Sequence, residues 1–434
     1  MNLIALCPVS IKQARLERGV LVKKYNFCLV CLLFGLLSAS LSGCSDGNNN
    51  SSSAAAQLQE IVDFESYEWE EIAAGPRWEP RAGLQALELN NNFYLFGGRT
   101  PRPPMMPNPI PGDSDIWSDV WLSPDRGETW EKLLETGGDH WAPRAYFKAV
   151  TKDGWLYLAG GQDFQLVELP FCAGQPPEIC PPFVSLSTFF NDVWRSRDGI
   201  AWEEMTPAAG WGPRAGLSMA VLNDEIFVLG GSVNDDSAIT GGPPVREYFN
   251  DVWKSEDGSD WTQLTANAPW SPRAGAVLVT QGEFLYLLGG EFGFLCDPLP
   301  DCDQPYLNDV WRSQDGVEWE QVTEAAGWAP RPGHQCGVIQ DQFICFGGFG
   351  YPENPQDVWV SDDGAQWTVL GTPPWNAMSS DDIKYDFDII VTDAYSLDPR
   401  PAIYTFGGDR ETFDFGDPLN YLRIDDDIWK FSLP

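Results

Sequence analysis

The sequence predicts an all-β fold, with six copies of a four-stranded antiparallel sheet set in a ring. Three observations carry that prediction. A Gly-Gly pair recurs at Gly97-Gly98, Gly160-Gly161, Gly230-Gly231, Gly289-Gly290, Gly347-Gly348 and Gly407-Gly408, 58 to 70 residues apart. Each pair is followed by Asp-Val-Trp or a near variant, ending at Trp121, Trp194, Trp253, Trp311, Trp359 and Trp429. The composition, with 42 Gly, 35 Pro and 20 Trp, suits a turn-rich β protein with a large aromatic core. Self-similarity at a fixed period marks a repeat architecture. It makes most of the 434 residues one closed domain rather than two or three ordinary ones.

The elements of one repeat follow in order. A Pro-Arg-Ala-Gly opening, as at Pro213-Arg214-Ala215-Gly216, starts a first strand, Leu217 to Leu222. The tight polar turn Asn223-Asp224 leads to an apolar second strand, Glu225 to Leu229, which runs into the Gly pair. A variable loop precedes the Asp-Val-Trp third strand. A Ser-x-Asp-Gly turn then leads to a Trp-centred fourth strand, as from Ser196 to Trp202. The fourth-strand Trp occurs at Trp69, Trp130, Trp202, Trp261, Trp319 and Trp367. Trp69 precedes any first strand, and the chain ends just after the sixth third strand. The N-terminal segment is therefore expected to supply the outer strand of the last sheet, which removes a free edge.

Four-stranded sheets repeated about an axis make a six-bladed β-propeller. The double glycine followed by a later Trp resembles the kelch motif of the kelch and galactose-oxidase central-domain superfamily, over roughly residues 65–434. The Ser123-to-Trp130 turn and its four counterparts resemble the Asp-box of sialidase-like propellers. An Asx-type turn followed by Gly is a structural device, and its presence in five of six blades reads as architecture. A residue present in every repeat builds the repeat, so function is sought where the copies differ.

The N-terminus reads as an export signal. Lys12, Arg15, Arg18, Lys23 and Lys24 precede an apolar run from Phe27 to Leu41, too short for an ordinary membrane span. Leu41-Ser42-Gly43-Cys44 resembles the lipobox of bacterial lipoproteins. That resemblance implies a signal peptide over 1–43, acylation of Cys44, and a flexible tether over 44–64 ahead of the propeller at 65–434. Ser45 in place of Asp favours the outer membrane, on its periplasmic or surface face. The formal net charge of −36 becomes more negative still once the signal leaves, and such a chain is repelled by phosphate backbones. Nucleic acid is excluded as a partner, and a monomer is expected.

Beyond Cys44, six cysteines form three close pairs: Cys172 with Cys180, Cys296 with Cys302, and Cys336 with Cys345. An even number in an exported chain points to disulfides. The third pair fits a hairpin with Gln340-Asp341 as its two-residue turn, at a non-hydrogen-bonded position where the backbones are close enough to bridge.

The distance from the second Gly of each pair to the Asp of the third strand ranges from 9 to 31 residues. Variable loops of this kind gather on one face of a propeller, the expected binding surface. Residues just past the Gly pairs line its mouth and differ: Arg99, Gln162, Ser232, Glu291, Phe349 and Asp409. Arg99, Glu291 and Asp409 are candidates to hold a polar or sugar-like ligand. His140 and His334 stand beside Pro-Arg segments, and Lys148 interrupts an apolar first strand. Blade six replaces Pro-Arg-Ala-Gly with a stretch containing Lys384, Tyr385 and Asp386. Arg81, Arg144, Arg214, Arg273 and Arg331 are too regular to be functional and are expected to pair with carboxylates of adjacent blades. The same regularity discounts Trp78 and its five counterparts as stacking surfaces.

Three functional readings follow. The first is a non-catalytic binding propeller for a glycan or protein ligand. The second is a sugar-active enzyme similar to kelch-type sialic acid mutarotases. The third is a copper radical oxidase like galactose oxidase; that resemblance implies two His and two Tyr ligands, a Cys crosslinked to one Tyr and seven blades, whereas only two His are present, the six mature cysteines read as paired and six blades are counted. No metal cluster, phosphate loop or nucleophile–base pair is visible, so no cofactor or metal is expected and the binding reading leads.

Overall fold

In a computed structural model, residues 64–434 are described apart from 73–74, 104–112, 173, 175–182, 235–244, 294–304, 351–353, 377–381, 393–399, 413–416 and 418. The chain divides into two units, Met1–Gln59 and Glu60–Pro434. The first unit, with the expected signal, Cys44 and most of the tether, lies outside the described residues, as do Cys180, Cys296 and Cys302.

The second unit is a six-bladed β-propeller, each blade a four-stranded antiparallel sheet. Blade 1 comprises Gln85–Leu89, Asn92–Phe96, Val120–Ser123 and Glu131–Leu134. First strands of blades 2 to 6 begin at Lys148, Ser218, Val277, His334 and Asp388. Hairpin turns between first and second strands place two non-Gly residues at positive φ in blades 1, 3 and 5, at Asn90-Asn91, Asn223-Asp224 and Gln340-Asp341. Such paired left-handed residues match the twist of the flanking strands. The Gln340-Asp341 turn brings Cys336 opposite Cys345 in register, and the two are disulfide-bonded with Cα atoms 4.1 Å apart. Cys172 is disulfide-bonded as well.

Blade 6 closes the ring as the Trp spacing predicts. Its first three strands are Asp388–Thr392, Ala402–Asp409 and Ile424–Ser432, and the fourth is the N-terminal Glu68–Glu71. Trp69 lies opposite Phe431 and packs on Phe346 and Trp375. The blades cohere through six hydrophobic clusters, one between each neighbouring pair. Trp78, Trp141, Trp211, Trp270, Trp328 and Trp375 are buried in them, each packed on a fourth-strand Trp.

The repeated phrase is a single network. Arg81 grips Asp119 of its own blade through both terminal nitrogens at 2.6 and 3.1 Å and also reaches the Gly97 carbonyl. The indole N–H of Trp121 donates to the same carboxylate. Arg144, Arg214 and Arg273 repeat that arrangement with Asp192, Asp251 and Asp309, and Arg331 pairs with Asp357. The partner lies within the blade, against the expectation of an adjacent one, because the first and third strands both flank the second. The Ser-x-Asp-Gly turns are likewise internal: Ser196 Oγ accepts from Gly199 N–H, and Asp198 accepts from the N–H groups of Ile200 and Ala201.

Two closed rings of backbone hydrogen bonds tie the blades together. In the first, the second glycine of each pair donates to the carbonyl of the next blade's Arg or Lys, and Gly408 donates to Arg81 to close the circle at 2.9 Å. In the second, Gly83, Tyr146, Gly216, Gly275, Gly333 and Asp386 each donate to the preceding member at 2.8–3.2 Å. All six have positive φ. Four are glycine, whereas Tyr146 at φ 56° and Asp386 at φ 50° carry side chains where a left-handed backbone is disfavoured.

Candidate axial binding site

The second ring surrounds a cavity of about 210 Å³ lined by residues of all six blades. Strand alternation decides what faces it. Side chains at the Leu84, Phe147, Leu217, Ala276 and Phe387 positions enter the clusters between blades. Their neighbours on either side, such as Tyr146 and Lys148 around Phe147, are turned the opposite way, toward the axis.

Most of the charged residues gather on blades 6, 1 and 2, with Glu291 on blade 4. Arg99 follows the blade-1 Gly pair and bridges in β fashion to Ala82; its Nε donates to the Tyr146 hydroxyl at 2.5 Å and its Nη2 forms a buried ion pair with Asp409. Asp409, at the equivalent position of blade 6, also accepts from the backbone N–H of Glu411 at 2.9 Å and from Tyr385. Burial raises the Asp409 carboxyl, with Arg99 opposing it. Glu411 lines the cavity, and burial followed by the neighbouring Asp409 charge pushes its carboxyl up to about 8. The cluster thus holds one fixed ion pair and a carboxylic acid that keeps its proton at neutral pH. Two neighbouring carboxyls of different ionisation are an arrangement suited to proton transfer.

The sequence candidates separate accordingly. Arg99 and Asp409 meet directly, and Gln162 and Glu291 line the same cavity. His334 touches the cavity wall from a core-facing position: it is buried on Trp328, and burial followed by the nearby Arg331 cation pushes its imidazole down to about 3. It is a neutral core histidine. His140 packs on Trp141 in the loop before the blade-2 first strand, outside the cavity lining. Lys384 is buried as the blade-6 counterpart of the ring arginines, with its ammonium on the Gly407 carbonyl, Asp427 and Asp425. Its role there is architectural.

Tyr146 and Glu411 were missed as cavity residues by sequence reasoning, and Tyr385 was noted only as part of the irregular blade-6 stretch. Tyr146 had a signal: Pro143-Arg144-Ala145-Tyr146 departs from Pro-Arg-Ala-Gly at the residue that faces the axis. Glu411 had none, since it lies in a loop whose path only the fold defines.

By architecture and site, this is a six-bladed propeller with a polar cluster at one end of its axis. No protein-family model matches the chain. Among solved structures it is similar to the structure of YjhT, with a TM-score of 0.52 and 15% sequence identity over 78% of this chain and 93% of that one. At that identity the likeness is one of fold.

Proposed function

We propose that the protein is a binding propeller that captures one small molecule, or the terminal group of a glycan, in its axial cavity. The observation that supports this best is the Arg99–Tyr146–Asp409–Glu411 cluster, with Tyr146 held in a disfavoured backbone conformation at a Gly position of the second ring. Strain that persists where a glycine would relieve it points to function. Cavity size sets the scale of the ligand: an engineered apolar cavity of roughly 150 Å³ holds benzene, so 210 Å³ suits a single ring. In this reading the kelch-like chain is displayed from the outer membrane through acylated Cys44.

A second reading, a sugar-active enzyme, is favoured by one specific feature. Glu411 stays protonated at neutral pH within the cavity and is placed to give a proton to a bound oxygen. Titration calorimetry against a panel of small sugars and organic acids tests the proposal. Arg99→Met is expected to lose the ligand found while keeping its circular dichroism. A ligand bound equally by wild type and Arg99→Met would refute the cavity as the site. Turnover of the ligand abolished by Glu411→Gln, with binding retained, would establish the enzyme.

A further inference from the structure

The ionisable groups of the cavity are unequal in number, and the excess specifies the charge of a ligand. Five carboxyl groups line or abut it, Glu291, Asp386, Asp388, Asp409 and Glu411, against the two cations Arg99 and Lys148. Asp409 matches Arg99. Burial raises the Asp388 carboxyl to about 6 and the Lys148 charge opposes that rise, so the second cation is matched as well. A carboxylate oxygen of Glu291 lies 3.9 Å from where a Cβ would stand on Gly275, and one of Asp386 lies 2.6 Å from the same point on Gly333. Both carboxylates therefore sit against the second ring, on the side made by blades 4, 5 and 6.

The approach to the cavity has the same sign. The loops between second and third strands of blades 2, 4 and 5 carry eight Asp or Glu and no Lys, Arg or His. A cleft lined by one sign of charge focuses the field and raises the local concentration of counter-ions. An anion would meet this excess both on entry and inside.

The uncharged part of the lining suits the body of an organic cation. Tyr146, Phe164, Tyr385 and Tyr421 all contribute to it. The Tyr146 hydroxyl accepts from Arg99, that of Tyr385 donates to Asp409, and that of Tyr421 donates to the Arg102 carbonyl. The phenols are thus anchored at their polar ends. A cation over an aromatic face is attracted by the ring quadrupole. Arg99 already uses Tyr146 in this way, its guanidinium carbon 5.9 Å from the ring centroid. Among the described residues no three His, Cys, Asp or Glu side chains gather closely enough to hold a metal ion.

Resting on the cavity as the ligand site, we infer that the bound molecule is a small organic cation, a protonated amine or quaternary ammonium with a compact apolar body. Its nitrogen is held on the Glu291 and Asp386 side, and its body lies against Phe164, Tyr385 and Tyr421. Arg99 serves it indirectly, by fixing the Tyr146 ring and the Asp409 carboxylate.

The test is calorimetry on the full chain at neutral pH with benzylammonium, its neutral counterpart benzyl alcohol, and benzoate, three single-ring probes that differ chiefly in charge. Benzylammonium is expected to bind at least about ten-fold more tightly than either, a difference of about 1.4 kcal/mol. Glu291→Gln is expected to weaken benzylammonium by a similar factor and leave benzyl alcohol unchanged, with unaltered circular dichroism showing that the fold is kept. Should that variant lose its fold, Asp386→Asn makes the same measurement, since Asn also tolerates a left-handed backbone. Benzylammonium affinity equal in wild type and the folded variant would overturn the inference, as would tighter binding of benzoate. Heat from calcium chloride with none from benzylammonium would overturn it too, marking a site for an inorganic cation. A sugar bound through Arg99 while benzylammonium is ignored would also overturn it, yet leave the proposed function standing. Failure of every probe and every panel ligand to bind would remove both.

Discussion

Replacing Gly407 by Ala tests why the glycine pairs recur. Gly407 has φ +57°, and a Cβ there would stand 2.6 Å from the Arg81 carbonyl oxygen of the next blade, 3.0 Å from Leu84 and 3.3 Å from the Asp425 carbonyl. The first contact is to backbone, so no rotamer change relieves it. The same Arg81 oxygen accepts the Gly408 N–H that closes the first ring. Gly154, in the blade-2 hairpin, has φ +74°, and a Cβ there would meet nothing within 4 Å, so it isolates the backbone cost. A left-handed non-Gly residue costs about 1–2 kcal/mol. Restricting the unfolded chain returns roughly 0.4–1 kcal/mol of that. Gly154→Ala should therefore lose about 1 kcal/mol. Gly407→Ala carries the same terms plus overpacking of ~1–3 kcal/mol, for a total of about 2–4 kcal/mol. The unfolded-state contribution cancels in the comparison. Urea denaturation followed by tryptophan fluorescence measures both. Equal losses would refute the claim that close approach between blades, beyond left-handed geometry, requires the glycine.

Three further outcomes are expected. His334→Leu should change the pH dependence of stability. The imidazole is pushed down to about 3 in the folded chain, so its contribution is full above the unfolded value near 6.5 and is lost as pH falls. Between pH 6.5 and 5 the wild type should lose roughly 2 kcal/mol relative to the variant, read from paired urea titrations; parallel curves would contradict the burial of a neutral histidine. Lys384→Met should destabilise toward the lower end of ~3–5 kcal/mol, because it removes the cation beside Asp427, which keeps some solvent contact, while Asp425 retains Arg410. A neutral result in thermal melts would show the blade-6 pairing to be dispensable. Deleting residues 64–71 removes Trp69, Phe64 and Tyr67 from the blade 5–6 cluster and bares the edge strand Ile424–Ser432. The truncated chain should melt earlier and aggregate, and an unchanged melting temperature would refute closure by that strand.

The blade was legible because its determinants are local and repeated. Pro-Arg, Gly-Gly and Asp-Val-Trp recur together because Arg81, the Gly97 carbonyl, Asp119 and Trp121 form one network within a single sheet. The pairing of Cys336 with Cys345 was readable for the same reason, since a two-residue turn sets register over a few residues. The seam was readable from counting, because Trp69 is a fourth-strand Trp without a blade of its own. The arginine partners were misplaced: spacing alone does not say whether a carboxylate in a third strand faces its own sheet or the next.

By itself, then, the sequence determined a six-bladed, self-closing ring and which residues are its masonry. The tertiary structure decided the site. Arg99 and Asp409 are 310 residues apart and meet only because blade 6 closes against blade 1. His334 and Lys148 both looked like exceptions in first strands, yet strand alternation buries one between blades and turns the other to the axis. Periodicity encodes the contacts each repeat makes in common. Which unrepeated residues face one another across the axis is set by closure of the ring, a non-local condition that no single repeat contains.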